Sequence, residues 1–390
     1  MGILDLHFSN FHKGVFAIAS SAGCISLYHL TDFKDNDPLT CRIRHMFTYQ
    51  IFPTTTLILS LAWHTSVPGL IIVTLSTGYV ALLECSRHFR SVRKLRDDLN
   101  PHGGLEAWTA AFCEAPYVEN NSHLQAIYSG GDDGRLRCIK FPNFASIKGD
   151  VQSLIDVAPG GRKGMSGHNA GVTAILPLPL HTAAGEDILL TGSYDDYVRV
   201  YAVYDHRTNQ LGKHPKVLAE LNLGGGVWRL KFLRDYSRRD QYRVKEGGSW
   251  KDAYDPQSEF YDMEVAKAQD SSLMTFRILA SCMHAGSRIL EVIGSKYGNW
   301  QIRVLAKFEE HKSMNYGSDV QPIPYVQMPL NEQLDDTKVL VVSTSFYDKL
   351  LCVWAFEREP WYTGLEEEVL DAKLNLRGNR SLPLRTKGGL

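Results

Sequence analysis

The sequence predicts an all-β fold assembled from a repeated hairpin, and three observations predict it. A pattern of small residues, a polar turn and alternating apolar positions ending in a bulky residue recurs along the 390-residue chain. Asp or Gly stands at the turn of nearly every copy, where a tight connection between antiparallel strands needs it. The 18 Tyr, 16 Phe and 7 Trp favour strands over helices.

In chain order the hairpins are Ala19–Tyr28, Leu75–Leu83, Ser129–Ile139, Thr191–Tyr201, Ser281–Leu290 and Thr344–Trp354. The copy around Tyr194-Asp195-Asp196 is the clearest. Strand-like runs precede them: Ile3 to Phe8, Leu57 to Trp63, Trp108 to Phe112, Val172 to Leu176 and Val227 to Phe232. Gly167-His168 stands ahead of one of these runs. The order Gly-His, strand, Ser-x-Asp hairpin, aromatic resembles the WD repeat, which implies a β-propeller with four antiparallel strands per blade.

Six blades are legible. Their final bulky residues, Tyr28, Leu83, Ile139, Tyr201, Leu290 and Trp354, are spaced by 55, 56, 62, 89 and 64 residues, against about 40 to 45 in an ordinary WD repeat. The longest excess is a charged insertion at 234–275, expected to hang from the bottom face after the first strand of its blade. The propeller domain is expected over 1–356, and 357–390 as a tail that is loose or closes the ring.

A net charge of −1 and a pI near 6.9 argue against nucleic acid as the main partner. Seven cysteines, odd in number and never in a CxxC pair, fit reduced thiols rather than a disulfide framework or zinc site. No leader-like segment and no run of the roughly 20 apolar residues a membrane helix needs is found, so the expectation is a cytoplasmic protein without membrane, metal or cofactor. GxSxG, GxxxxGK[ST], HExxH and a strand-linked GxGxxG are all absent. Physical reading alone gives a protein-binding scaffold.

The turn aspartates Asp133, Asp195 and Asp348, with His168, are expected to bond within their blades on the top face. The rest of that face departs from the repeat. His284 stands where the fifth repeat should have its turn Asp, and an imidazole cannot replace a carboxylate that accepts several backbone hydrogen bonds. Tyr194 and Tyr347 precede turns where small polar residues are usual. The entries to the inner strands are also unusual: Glu106-Ala107-Trp108, Gly224-Gly225-Gly226-Val227-Trp228-Arg229, and His311-Lys312-Ser313 through Tyr316. The plainer readings are that Trp108 and Trp228 plug the channel and that His311 bonds within its blade.

These departures, taken with Ser129–Gly134, Tyr194-Asp195, Cys282-Met283-His284-Ala285-Gly286 and Ser345 to Asp348, resemble the WD-repeat diphthine methyl esterase family over seven motifs in order. Members of that family carry a further repeat ahead of the strand that here begins at Ile3, so seven blades are expected in the family. The resemblance implies hydrolysis of the methyl ester of methylated diphthine on elongation factor 2, yielding diphthine during diphthamide biosynthesis, with water as the co-substrate.

Ester hydrolysis needs an activated nucleophile, proton transfer and donors for an oxyanion. His284 is the candidate base, and backbone N–H groups at Gly225 and Gly226 with Arg229 are candidate donors. Ser313 beside His311 is a candidate nucleophile, with direct water attack equally open. The quaternary ammonium group of the implied substrate calls for aromatic faces, for which Trp108, Tyr194, Trp228, Tyr316 and Tyr347 are candidates, with Glu106 or Asp132 adding negative charge. The competing reading is a non-catalytic WD-repeat adaptor that binds a peptide through its exposed aromatics. A methyltransferase finds no glycine-rich cofactor loop after a strand.

Overall fold

The computed structural model describes residues 2–31, 41–113, 125–141, 153–158, 167–203, 215–233, 273–321 and 338–357. They form 23 strands in six antiparallel sheets, the blades of a β-propeller. Blade 1 holds β1–β4 (Ile3–Phe8, Val15–Ser20, Cys24–Thr31, Arg42–Gln50) and blade 2 holds β5–β8 (Ile58–Trp63, Leu70–Leu75, Val80–Cys85, Val92–Leu99). Blade 3 holds β9–β12 (Ala107–Cys113, Gln125–Gly131, Leu136–Phe141, Ser153–Ala158) and blade 4 holds β13–β16 (Val172–His181, Asp187–Ser193, Tyr197–Val203, Lys216–Asn222). Blade 5 holds β17–β20 (Arg229–Phe232, Met274–Ser281, Ser287–Ser295, Gly298–Phe308) and blade 6 holds β21–β23 (Asn315–Val320, Lys338–Ser345, Leu351–Glu357).

Every blade is a sequential meander, so each strand pairs with its neighbours in the chain. The first strands of blades 1 to 6 lie side by side in succession and form the inner ring. The second strands β2, β6 and β14 are buried throughout, whereas the outer strands β4 and β16 are largely exposed or half-buried. This radial gradient explains their composition, because a strand covered on both faces reads as a continuous apolar run instead of an alternating one.

The core lies between blades. In β14, Leu189 packs with Tyr128 and Cys138 of blade 3, while the next residue, Leu190, packs with Ile278 and Leu290 of blade 5. In β18, Ile278 turns back to blade 4 and Leu279 forward to Val341 and Trp354 of blade 6. Successive strand residues point to opposite faces, so one strand serves two interfaces. Ile127 and Ile139 complete the set against Ile72 and Leu82, and Ala17 and Leu27 against Ile71 and Leu83.

Six blades are present among the described residues, and each predicted hairpin forms. The sixth has three strands, and its second face is open: Leu340, Leu351 and Val353 are exposed, as are Leu6 and Phe8 on β1. No core cluster among the described residues joins blade 6 to blade 1. The segment expected as a charged insertion, 234–275, begins after β17, and its last two residues, Met274 and Thr275, belong to β18. Its residues 234–272 and the tail 358–390 lie outside the described residues.

Candidate active site

The top face is built on repeated side-chain bonds inside the blades. His168 is buried, its Nε2 is 2.8 Å from Thr191 Oγ1, and its Nδ1 is 3.2 Å from Asp195 Oδ1. Arg199 donates to the same carboxylate at 2.7 Å. Burial alone would raise the Asp195 carboxyl, but the His168 and Arg199 contacts and the Asn169 N–H hold it well below the usual carboxylate range. Burial in turn lowers the His168 imidazole despite Asp195. Blade 3 repeats the arrangement with His102, which pairs with Ser129 Oγ at 2.7 Å and Asp133 Oδ1 at 2.9 Å. The sequence reading did not single out His102, although Pro101-His102-Gly103 precedes a strand as Gly167-His168 does.

Two candidates belong to this structural set. His311 is buried, and its Nε2 lies 2.8 Å from Ser343 Oγ, which also accepts from Trp354 Nε1 at 3.1 Å. It makes in blade 6 the Nε2–hydroxyl bond that His168 makes in blade 4, while its buried Nδ1 has no hydrogen-bond partner among the described residues. Ser313 Oγ donates to Asp348 Oδ1 at 3.0 Å and accepts from the Tyr347 N–H at 2.9 Å. Its hydroxyl is committed to the blade-6 turn and no bond links it to His311 among the described residues, so the Ser313–His311 pair is set aside as a nucleophile.

The inner-strand entries do converge. Trp228 lies at the centre, with ring centroids 5.4 Å from Trp108, 5.8 Å from Tyr194 and 5.1 Å from Tyr316. Trp108 and Tyr194 close the cluster edge-on at 6.0 Å. All four rings are half-buried at the channel mouth rather than inside a blade. They touch one another, so they make a continuous aromatic floor instead of an empty box, and a cation would stack on its open side. Trp108 Nε1 donates to the exposed Asp132 at 3.3 Å. Burial raises the Tyr194 phenol, and the charges of Asp132 and Glu106 add to the effect, so both carboxylates lie near this floor. Tyr347 is 70% exposed and joins through Phe346, whose ring lies 5.1 Å from Tyr347 and 6.2 Å from Tyr316. It is an outer extension of the floor.

Gly225 and Gly226 are buried against the β18–β19 turn. A Cβ on Gly225 would meet the Cys282 carbonyl at 2.4 Å, and one on Gly226 the Met283 sulfur at 2.6 Å. Close packing between the tops of blades 4 and 5 accounts for the absence of a side chain at both positions. Beside them His284 is exposed on the turn, and no orienting partner holds its ring among the described residues. Burial pushes the neighbouring Cys282 thiol up to about 12, with Arg288 opposing, so it stays protonated.

Arg229 lies between the floor and the channel. Its guanidinium stands 5.1 Å over the Trp228 ring, Nη1 donates to the Trp228 carbonyl at 3.1 Å, and Nη2 is 3.6 Å from Asp5 Oδ1 on the opposite inner strand. Asp5 was not foreseen: its Oδ2 accepts the Leu61 N–H at 3.0 Å and lies 3.4 Å from His7 Nε2. Burial would raise this carboxyl, but the charges of His7 and Arg229 hold it far below the usual range. No group of three His, Cys, Asp or Glu side chains able to hold a metal ion occurs among the described residues, and no helix there is long and apolar enough to cross a membrane.

No family model matches the chain. Among solved structures it is similar to that of Saccharomyces cerevisiae Sqt1, at a TM-score of 0.46 and 11% identity over 92% of this chain and 84% of that one, a likeness too weak to carry an argument. In sequence it is 25% identical over 354 residues to the Schizosaccharomyces pombe protein named diphthine methyltransferase, covering 90% of this chain and 78% of that protein. A Dictyostelium discoideum protein named diphthine methyltransferase homolog is 24% identical over 356 residues, 90% of this chain and 76% of its own length. The Homo sapiens diphthine methyltransferase is 26% identical over 332 residues, 81% of this chain and 55% of that protein.

Proposed function

We propose that this protein acts in diphthamide biosynthesis, hydrolysing the methyl ester of methylated diphthine on elongation factor 2 to give diphthine. The observation that carries the reading is the aromatic floor of Trp108, Tyr194, Trp228 and Tyr316 with the Arg229 guanidinium at its edge. An ester substrate bearing a quaternary ammonium group presents a cation and a carbonyl that becomes negative in the transition state. Aromatic faces with Asp132 and Glu106 nearby attract the first; a guanidinium in a partly dry channel stabilises the second. Arg229 then pairs with the carboxylate of the product. The relatives' names support diphthine as the chemical context.

Hydrolysis also needs a base held in one orientation. His284 has the right chemistry, but its exposed, unanchored ring makes it a poor choice for that task. The rim position suits contact with the incoming protein substrate instead.

Incubating methylated diphthine on elongation factor 2 with the protein is expected to release methanol and remove the methyl mass. A gain of methyl mass that requires a methyl donor would instead support the transfer reaction that the relatives' names describe. Stable binding with no change of mass would favour an adaptor anchored by the exposed Phe346 and Tyr347.

A further inference from the structure

The mechanism proposed so far lacks an oriented base, and the inner strand of blade 1 holds one. His7 lies on β1 with Nε2 3.4 Å from Asp5 Oδ2, and Asp5 is tied to Leu61 of β5 and to Arg229 of β17. Asp5 is only 10% exposed, whereas His7 is 37% exposed. The blade histidines His102 and His168 are buried with both ring nitrogens engaged. His7 differs: with Nε2 turned to the carboxylate, its Nδ1 has no bonded partner among the described residues. A staple between β1 and β5 would be complete with the carboxylate and the Leu61 N–H alone. The imidazole adds a partly exposed ring held against a buried anion, and that anion is itself paired with Arg229 at the edge of the aromatic floor.

We propose that His7, oriented by Asp5, is the general base of the hydrolysis, a step that rests on the ester hydrolase reading above. Nδ1 takes a proton from water as the water oxygen bonds to the ester carbonyl carbon, and the former carbonyl oxygen, now negative, faces Arg229. Collapse of this intermediate breaks the bond to the methoxy oxygen, which receives the proton from the imidazolium and leaves as methanol. The carboxylic acid formed ionises to a carboxylate beside Arg229 and a solvated proton. Asp5 is a positioning residue that fixes the ring and the guanidinium together. The charged groups facing His7 are Asp5 on its own strand and, through it, Arg229; β5 presents the Leu61 N–H and Trp63, whose Nε1 donates to the His7 carbonyl at 3.2 Å.

The test is steady-state methanol release from methylated diphthine on elongation factor 2 by the full chain, its His7→Gln and His7→Gly variants, and Asp5→Asn. His7→Gln is expected to lower kcat by roughly 10²- to 10⁴-fold with binding of the elongation factor retained. Added imidazole is expected to restore part of the rate to His7→Gly, which loss of a structural contact would not allow. Asp5→Asn is expected to lower kcat with KM little changed, and added imidazole is not expected to restore its rate. Normal kcat in a folded His7→Gln protein would overturn the assignment and leave the hydrolase reading intact. An unaltered protein that binds the substrate and releases no methanol would overturn both.

Discussion

At Trp228 three aromatic rings and one guanidinium meet, which makes it the most informative single residue of the site. A desolvated cation on such a ring is worth about 2 kcal/mol, close to a tenfold change in affinity for every 1.4 kcal/mol. Trp228→Ala is therefore expected to weaken binding of methylated diphthine by roughly tenfold or more with little change in folding, as titration calorimetry on the modified elongation factor would measure; unchanged affinity would remove the cation role. These residues were legible because each breaks a repeat that otherwise keeps small or apolar side chains at the strand entry. Asp5 and His7 were not. On a period-two strand a polar pair reads as an ordinary exposed face, and its meaning depends on Arg229, which is 224 residues away in sequence and reaches Asp5 only through the tertiary fold. His311 stays open to two readings in the sequence, because a His near an inner-strand entry looks alike whether it serves a blade or a reaction.

Among elements, the contact between the tops of blades 4 and 5 has the least slack. Gly225 faces the Cys282 carbonyl so closely that an added methyl group must displace backbone. Gly225→Ala is expected to cost about 1–3 kcal/mol of stability, read as a lower urea midpoint at unchanged slope; a neutral effect would mean that the turn yields freely. In β14, Leu190 is fully buried between blades 4 and 5, and Leu190→Ala is expected to cost about 2–5 kcal/mol by the same measurement. The hairpins were legible because a tight turn and the apolar runs around it are local features. Outer strands such as β4 and β16 escaped notice: only partly covered by the core, they carry little apolar period.

Over the whole molecule, stability should follow the titration of the groups buried in the blades. Asp5, Asp133 and Asp195 have depressed folded values, so their contribution is complete above the unfolded carboxylate value of about 4 and is lost as pH falls through the lower folded values. His168 and His311 are lowered by burial, so their neutral forms favour folding above about 6.5, and that contribution fades as pH falls below it. Both effects have the same sign. The urea midpoint is expected to fall gradually below about pH 6.5 and steeply below about 4; a midpoint that rises from pH 7 to 5 would contradict the network. The ring itself was legible as a repeat, but its closure was not, since the open faces of blades 1 and 6 depend on what lies between them.

The account turns on whether the aromatic floor and Arg229 serve ester hydrolysis. The measurement that tests this most directly is methanol release from methylated diphthine on elongation factor 2, comparing the unaltered protein with Arg229→Ala at matched folded content. The account predicts release by the unaltered protein and a rate lower by about 10²- to 10³-fold without the guanidinium. Equal rates in the two proteins, or no release by either, would contradict it.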